Sequence, residues 1–157
     1  MPEVHLRPIT RDNLAECLNL RVADSQAQFV ALNAKSLAEA YVNPHLFPLA
    51  IYPASARGHE AKPPVPMVGF CMYELEAGVG FILRLMINQE HQRCGYGHAA
   101  MLEVIRRLRL HPEVELIATS YKRGNEAADH LYGKLGFVPW EIEWAQRSET
   151  EKYVRLV

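Results

Sequence analysis

Apolar and polar residues alternate over 4–9, Val-His-Leu-Arg-Pro-Ile, and a period of two predicts a first strand. After Thr10 the period lengthens: Leu14, Cys17, Leu18 and Val22 recur at helical spacing, predicting a helix within 11–22. A second helix is predicted at 36–42, where Ser36 stands three before Glu39 in the pattern of a capping box and Pro44 ends the run. Residues 48–52, 66–74 and 80–87 are apolar runs of strand length, the last two joined by the turn Glu-Ala-Gly-Val-Gly at 76–80. The Pro-, Ala- and Gly-rich stretch 53–66 between the first two is expected to be an exposed hairpin loop. An amphipathic helix follows at 97–110, closed by His111–Pro112, then a strand at 114–120 and a helix at 125–135 with Gly136 as its cap. Strands at 137–144 and 152–157 complete the chain.

The order β-α-α-β-β-β-α-β-α-β-β predicts one α/β (α+β) domain over 1–157, a mixed sheet of about seven strands with helices on both faces. Strand, helix and strand at 80–120 form a βαβ unit, so its strands should be parallel with a right-handed crossover. Composition changes little: 49% hydrophobic and 22% charged residues are ordinary for a globular chain. A net charge of −1 gives no global field favouring nucleic acid or a membrane surface. No apolar run reaches the ~18 residues of a membrane helix and no signal segment opens the chain, so a cytoplasmic protein is expected. Cys17, Cys71 and Cys94 lack metal-ligand or disulfide spacing, and no metal is expected.

Chemistry enters at His-Gln-Arg-Cys-Gly-Tyr-Gly-His, 91–98. Two glycines before a helix leave its first amides open to an anion, where a Cβ would intrude, and Arg93 and His98 flank them. The loop reads as a phosphate cradle, against a tight turn that holds nothing. Gly95-x-Gly97-x-x-Ala100 matches a dinucleotide fingerprint, but about four strands precede it and too little chain follows for a second Rossmann half. Asn125 and Tyr132, seven apart, share one face of the next predicted helix. They would serve as hydrogen-bonding amide and hydroxyl donor, or simply as helix cap and core residue.

Gln-Arg-Cys-Gly-Tyr-Gly (92–97) and Asn-Glu-Ala-Ala-Asp-His-Leu-Tyr-Gly-Lys-Leu-Gly-Phe (125–137) resemble two conserved segments of the GNAT superfamily of N-acetyltransferases. Nearly the whole chain is similar, in motif order, to its bacterial spermine/spermidine (diamine) acetyltransferases. The resemblance implies that strand 80–87 splays from strand 114–120 and that acetyl-CoA lies in the gap as co-substrate. Main-chain groups near Leu85, Met86 and Ile87 would hold the pantetheine arm. Amides from Gln92 through Arg93, Cys94, Gly95, Tyr96 and Gly97 to His98 would bind the pyrophosphate. Asn125 would touch the coenzyme and Tyr132 would be the catalytic general acid. The implied partner is a small-molecule amine, a polyamine or related primary amine, and homodimers are common in the family. A protein terminus, lysine or amino sugar as acceptor, or a catalytically idle acyl-CoA-binding module, are the alternatives.

The general base is not fixed by the sequence: Glu74, Glu76, Glu141, Glu143, Glu151, His45 and His91 are the candidates, each also readable as a surface residue. Trp140 and Trp144 read as packing residues. The chain departs from the spermidine-type enzymes at Leu83, where the resemblance implies an acid. An aliphatic residue cannot pair with a polycation, so the expected acceptor is a less charged amine.

Overall fold

The computed structural model describes residues 2–54 and 65–157. Seven strands form one mixed sheet: β1 (Val4–Pro8), β2 (Leu46–Pro53), β3 (Gly69–Glu76), β4 (Val79–Ile87), β5 (Leu116–Lys122), β6 (Phe137–Pro139) and β7 (Glu151–Leu156). Their spatial order is β1-β2-β3-β4-β5-β7-β6, antiparallel throughout except for the parallel pair β4–β5. That one parallel pair is the predicted βαβ unit. Ala77 and Gly78 turn β3 into β4, both at positive φ as a primed two-residue hairpin turn demands.

Helices α3 (Tyr96–Arg109) and α4 (Glu126–Lys134) cover one face, and α1 (Leu14–Asn19) and α2 (Asn33–Val42) the other. Ala100, Met101, Val104 and Leu108 make the buried stripe of α3, and Arg106, Arg107 and Arg109 put positive charge at its carboxyl end. They pack with Ile82, Ile117 and Tyr132 into the larger core; Cys17, Phe70, Met72 and Met86 belong to the smaller core under α1 and α2.

Three local expectations need correction. Helix α2 begins at Asn33 rather than Ser36, and no capping box forms. Ser36 is buried, and Glu39 bonds Arg84 of β4 instead of the helix end. The Asn33 amide donates to the Cys17 carbonyl at 2.9 Å, tying the start of α2 to α1 and so lengthening the helix. The strand expected over 137–144 stops at Pro139; its last tie is Trp140 N–H to the Tyr153 carbonyl, and Glu143–Gln146 form a short helix, α5. Buried Ala145 and the ring of Trp144 on Tyr153 hold that turn down. The first helix is also shorter than 11–22. The centre of the expected loop 53–66, residues 55–64, lies outside the described residues.

Candidate active site

A cleft arises from the course of β4. Val79–Ile82 pair in parallel with Leu116–Thr119, and there the pairing ends. On its other edge β4 stays with β3, but Tyr73 pairs with Ile82 and Met72 with Arg84, leaving Leu83 as the extra residue of a bulge. A bulge bends its strand. So β4 leaves β5, while β5 follows β7 through Ser120–Tyr153 and Lys122–Glu151. At the fork the Thr119 hydroxyl donates to the Ile82 carbonyl at 2.7 Å. The open fork is a cleft of about 910 Å³.

On the side of α3, the floor is Tyr132, 6% exposed and stacked on Tyr121 with ring centres 5.6 Å apart. Burial pushes its phenol up to about 12, while the Thr119 hydroxyl beside it pulls the other way. It is therefore protonated at neutral pH. The Tyr121 hydroxyl is already spent, donating to Asp129 at 2.6 Å, and Asp129 also takes Lys152 at 2.8 Å. Burial first and then the Asp129 carboxylate raise the Tyr121 phenol well above its ordinary value. Asn125 caps α4, its Oδ1 accepting from the Ala128 amide at 3.2 Å, which leaves its NH₂ group as the part able to meet a ligand.

The glycine loop ends in the first turn of α3. The first intrahelical bond runs from Ala99 N–H to the Gly95 carbonyl, and among the described residues no acceptor takes the amides of Gly95, Tyr96, Gly97 and His98. The two glycines serve different ends. Gly95 has φ 86°, a conformation that disfavours side chains, and a Cβ there would also press on Pro2 at 3.1 Å. Gly97 is not constrained in this way: a Cβ would meet only Ile87 and Leu131, at 3.8 and 3.9 Å. Such a Cβ fits the protein and would occupy space beside the open amides.

Across the cleft lies the segment 24–31, whose first part is a 3-10 turn (Asp24–Phe29). Lys122 donates to the Gln28 carbonyl at 2.8 Å from β5, and the Gln92 amide donates to Gln26 at 2.8 Å and to the Ile87 carbonyl at 2.9 Å. The lining is unbalanced in charge. Lys35, Arg84, Arg93 and Lys122 are cationic; among the described residues Glu151 is its only carboxylate.

The family model for the acetyltransferase (GNAT) family matches residues 19–137. The chain belongs to that family. As a GNAT protein it is an acetyl-CoA-dependent N-acetyltransferase. No curated protein sequence matches it. Solved structures share its fold at low identity. A spermidine N-acetyltransferase from Vibrio cholerae in complex with CoA and spermine is 15% identical, covers 98% of this chain and 95% of its own, and has a TM-score of 0.70. The ribosomal-protein-S18-alanine N-acetyltransferase from Escherichia coli is 14% identical over 98% and 92%, with a TM-score of 0.67. The PaiA N-acetyltransferase from Thermoplasma acidophilum in complex with coenzyme A is 13% identical over 98% and 98%, also with a TM-score of 0.67.

Within this GNAT fold, Leu85, Met86, Ile87, Gln92, Arg93, Tyr96, Gly97, Asn125 and Tyr132 all line the cleft. Cys94, Gly95 and His98 do not, although their amides belong to the same loop and first helical turn. Of the candidate bases only Glu151 and His91 line it. Glu74 and Glu76 sit opposite Phe81 and Val79, at the closed end of β4. Sequence reasoning missed Arg84, Thr119, Tyr153 and the segment 26–31. Tyr153 and Glu151 had a readable signal, since alternation along the last strand puts both on one face. The segment 26–31 shows no periodicity. Among the described residues no helix is long and apolar enough to cross a membrane, and no group of three or more His, Cys, Asp or Glu is placed to hold a metal.

Proposed function

We propose that this GNAT enzyme moves the acetyl group of acetyl-CoA directly onto the primary amine of a small molecule, and that long polyamines are poor acceptors. One observation carries the reading: β4 parts from β5 beside the unpaired amides of α3, with a protonated tyrosine at the floor of the fork. In this reading the amides from Gln92 to His98 bind pyrophosphate, and Arg93 adds charge. The unpaired edge of β4 at Leu85, Met86 and Ile87 holds the pantetheine arm and polarises the thioester carbonyl. Asn125 contacts the arm through its NH₂ group.

The amine nitrogen attacks the thioester carbon, the C–N bond forms, and the C–S bond breaks. The acceptor must arrive neutral; losing a proton from an alkylammonium at neutral pH costs about 4–5 kcal/mol. Glu151, acting directly or through water, takes protons from the nitrogen. Tyr132 donates toward the departing thiolate. Because its phenol is held up to about 12, it stays a hydrogen-bond donor throughout the neutral and mildly alkaline range.

The acceptor follows from charge. Glu74 and Glu76 are remote from the cleft, and Glu39 is bound to Arg84 at 3.1 Å. Glu151 is left facing the cations. A polyamine carrying several charges would meet mostly like charge. The test is thiol release from acetyl-CoA with spermine, spermidine and apolar monoamines. Monoamines are expected to turn over better. Spermine with kcat/KM above ~10⁴ M⁻¹s⁻¹ and monoamines far below would overturn the acceptor assignment. Acetyl-CoA binding with no turnover for any amine would favour an idle acyl-CoA-binding module.

A further inference from the structure

Arg84 has no part in the chemistry above. The bulge at Leu83 resets the alternation of β4, so Leu83 packs in the core under α2 and Arg84 reaches Glu39 on that same helix. In a regular strand, adjacent residues would have faced opposite sides of the sheet. The bulge thus brings a guanidinium to the α2 side of the cleft, immediately before Leu85. Its side chain is 20% exposed, and among the described residues its acceptors are the Leu83 carbonyl at 3.1 Å and the two Glu39 carboxylate oxygens at 3.1 and 3.4 Å. Its buried Nε has no hydrogen-bond partner among the described residues. A guanidinium offers five N–H donors in a fixed fork, and a half-filled one beside a ligand cleft is a receptor for a carboxylate.

Two further observations set the size of the charge. Lys35 lines the cleft one helical turn before Glu39, so it stands on the same face of α2. Arg84 and Lys35 together, less Glu39, leave about one positive charge, which suits a monoanion. Phe29, Val30, Leu83 and Tyr153 add apolar and aromatic surface to the cleft lining.

We propose that the acceptor is an apolar amino acid, its carboxylate held by Arg84 with Lys35 and its amine directed at the thioester. The inference rests on the direct amine-acetylation reading and gives its acceptor a second functional group. Arg84 directly precedes Leu85, the first of the three residues whose free edge holds the thioester in that reading, and both line the same cleft. Glu39 then has a second effect: it competes with the ligand for the guanidinium.

The experiment compares matched acceptors that differ only in the carboxylate, leucine against 3-methylbutylamine and phenylalanine against 2-phenylethylamine, by thiol release from acetyl-CoA. The wild-type protein should favour the acids by roughly tenfold or more in kcat/KM, the scale of a charged hydrogen bond. Arg84→Gln should collapse that preference. Glu39→Gln should enlarge it several-fold by freeing donors. If the pair merely braces β4 against α2, both variants would change acid and amine by the same factor. Equal rates for acids and amines in the wild-type protein overturn the proposal, whatever the variants do, while leaving amine acetylation standing. No turnover with any amine, polyamines included, overturns both.

Discussion

The two sides of the fork between β4 and β5 are built by different means. Toward α3 and α4 the groups left open are mostly main chain: the amides of the helix start, the free edge of β4, and the space beside Gly97. Toward α1 and α2 they are side chains, Arg84, Lys35, Phe29 and Tyr153, arranged by a bulge and by the tethered segment 24–31. Backbone donors accept any chemically similar anion and need only glycines and a helix. Side-chain walls vary freely with sequence. The first side therefore suits a co-substrate common to a whole family, and the second an acceptor that differs between members.

The sharpest break between the sides should come at Tyr132, which belongs to neither wall but to the floor. Tyr132→Phe keeps the ring stacked on Tyr121 and edge-on to Phe137 while removing the hydroxyl. The expected result is a loss of ~10²–10⁴-fold in kcat with acetyl-CoA affinity unchanged. Wild-type kcat, measured where chemistry limits the rate, would return the hydroxyl to a packing role. A linked effect concerns stability. Folding raises this phenol from 10 to about 12, so the native state holds its proton more tightly than the unfolded chain. Its contribution is complete below pH 10 and is lost as pH rises toward 12, a fall on the order of 2–3 kcal/mol across that window. Tyr132→Phe should flatten that part of an alkaline denaturation profile.

The two glycines of the donor side separate its structural part from its binding part. Gly97→Val should weaken acetyl-CoA binding roughly 10–100-fold in calorimetric titration, since it displaces an anion from charge-assisted bonds, with little loss of melting temperature. Gly95→Ala should do the reverse in first rank, destabilising the fold by about 1–2 kcal/mol because φ is 86°. If Gly97→Val binds acetyl-CoA normally, the donor side is not a phosphate cradle.

The same contrast explains what could be read before the structure. Gly97 stands out as a glycine before a helix, whereas the spacing of seven reads Asn125 and Tyr132 equally as cap and core residue, and the family resemblance singles them out. The sheet followed from strand-length apolar runs, and its seven strands and two helical layers correspond to the expected plan. The bulge did not. Phe81 to Ile87 is a nearly continuous apolar run, so its alternation carries no mark of a slipped register and nothing in it singles out Arg84. Residues 140–144 failed for a related reason. Trp-Glu-Ile-Glu-Trp alternates over a span too short to distinguish a strand from a chain turning into the four-residue helix α5. Glu39 was assigned to a cap because its spacing from Ser36 is local, whereas its partner Arg84 lies 45 residues away.

The smallest expected effect tests whether the two sides can be moved independently. The segment 24–31 is tied to β5 by Lys122 and to the glycine loop by Gln92, so one strap touches both walls. The Lys122 bond to the Gln28 carbonyl is exposed and should contribute only about 0.5–1.5 kcal/mol. Lys122→Met should accordingly raise acceptor KM by about two- to tenfold, through a looser wall at Gln28 and Phe29, while leaving acetyl-CoA affinity alone. Gln92→Leu removes a bond to the strap and a bond to the Ile87 carbonyl beside the loop, so it should move acceptor KM and acetyl-CoA affinity together. Binding titrations and initial rates on both variants read the difference. A shift in acetyl-CoA affinity from Lys122→Met as large as that from Gln92→Leu would mean that the strap acts on the cleft as one body, and the division between a main-chain donor wall and a side-chain acceptor wall would fail.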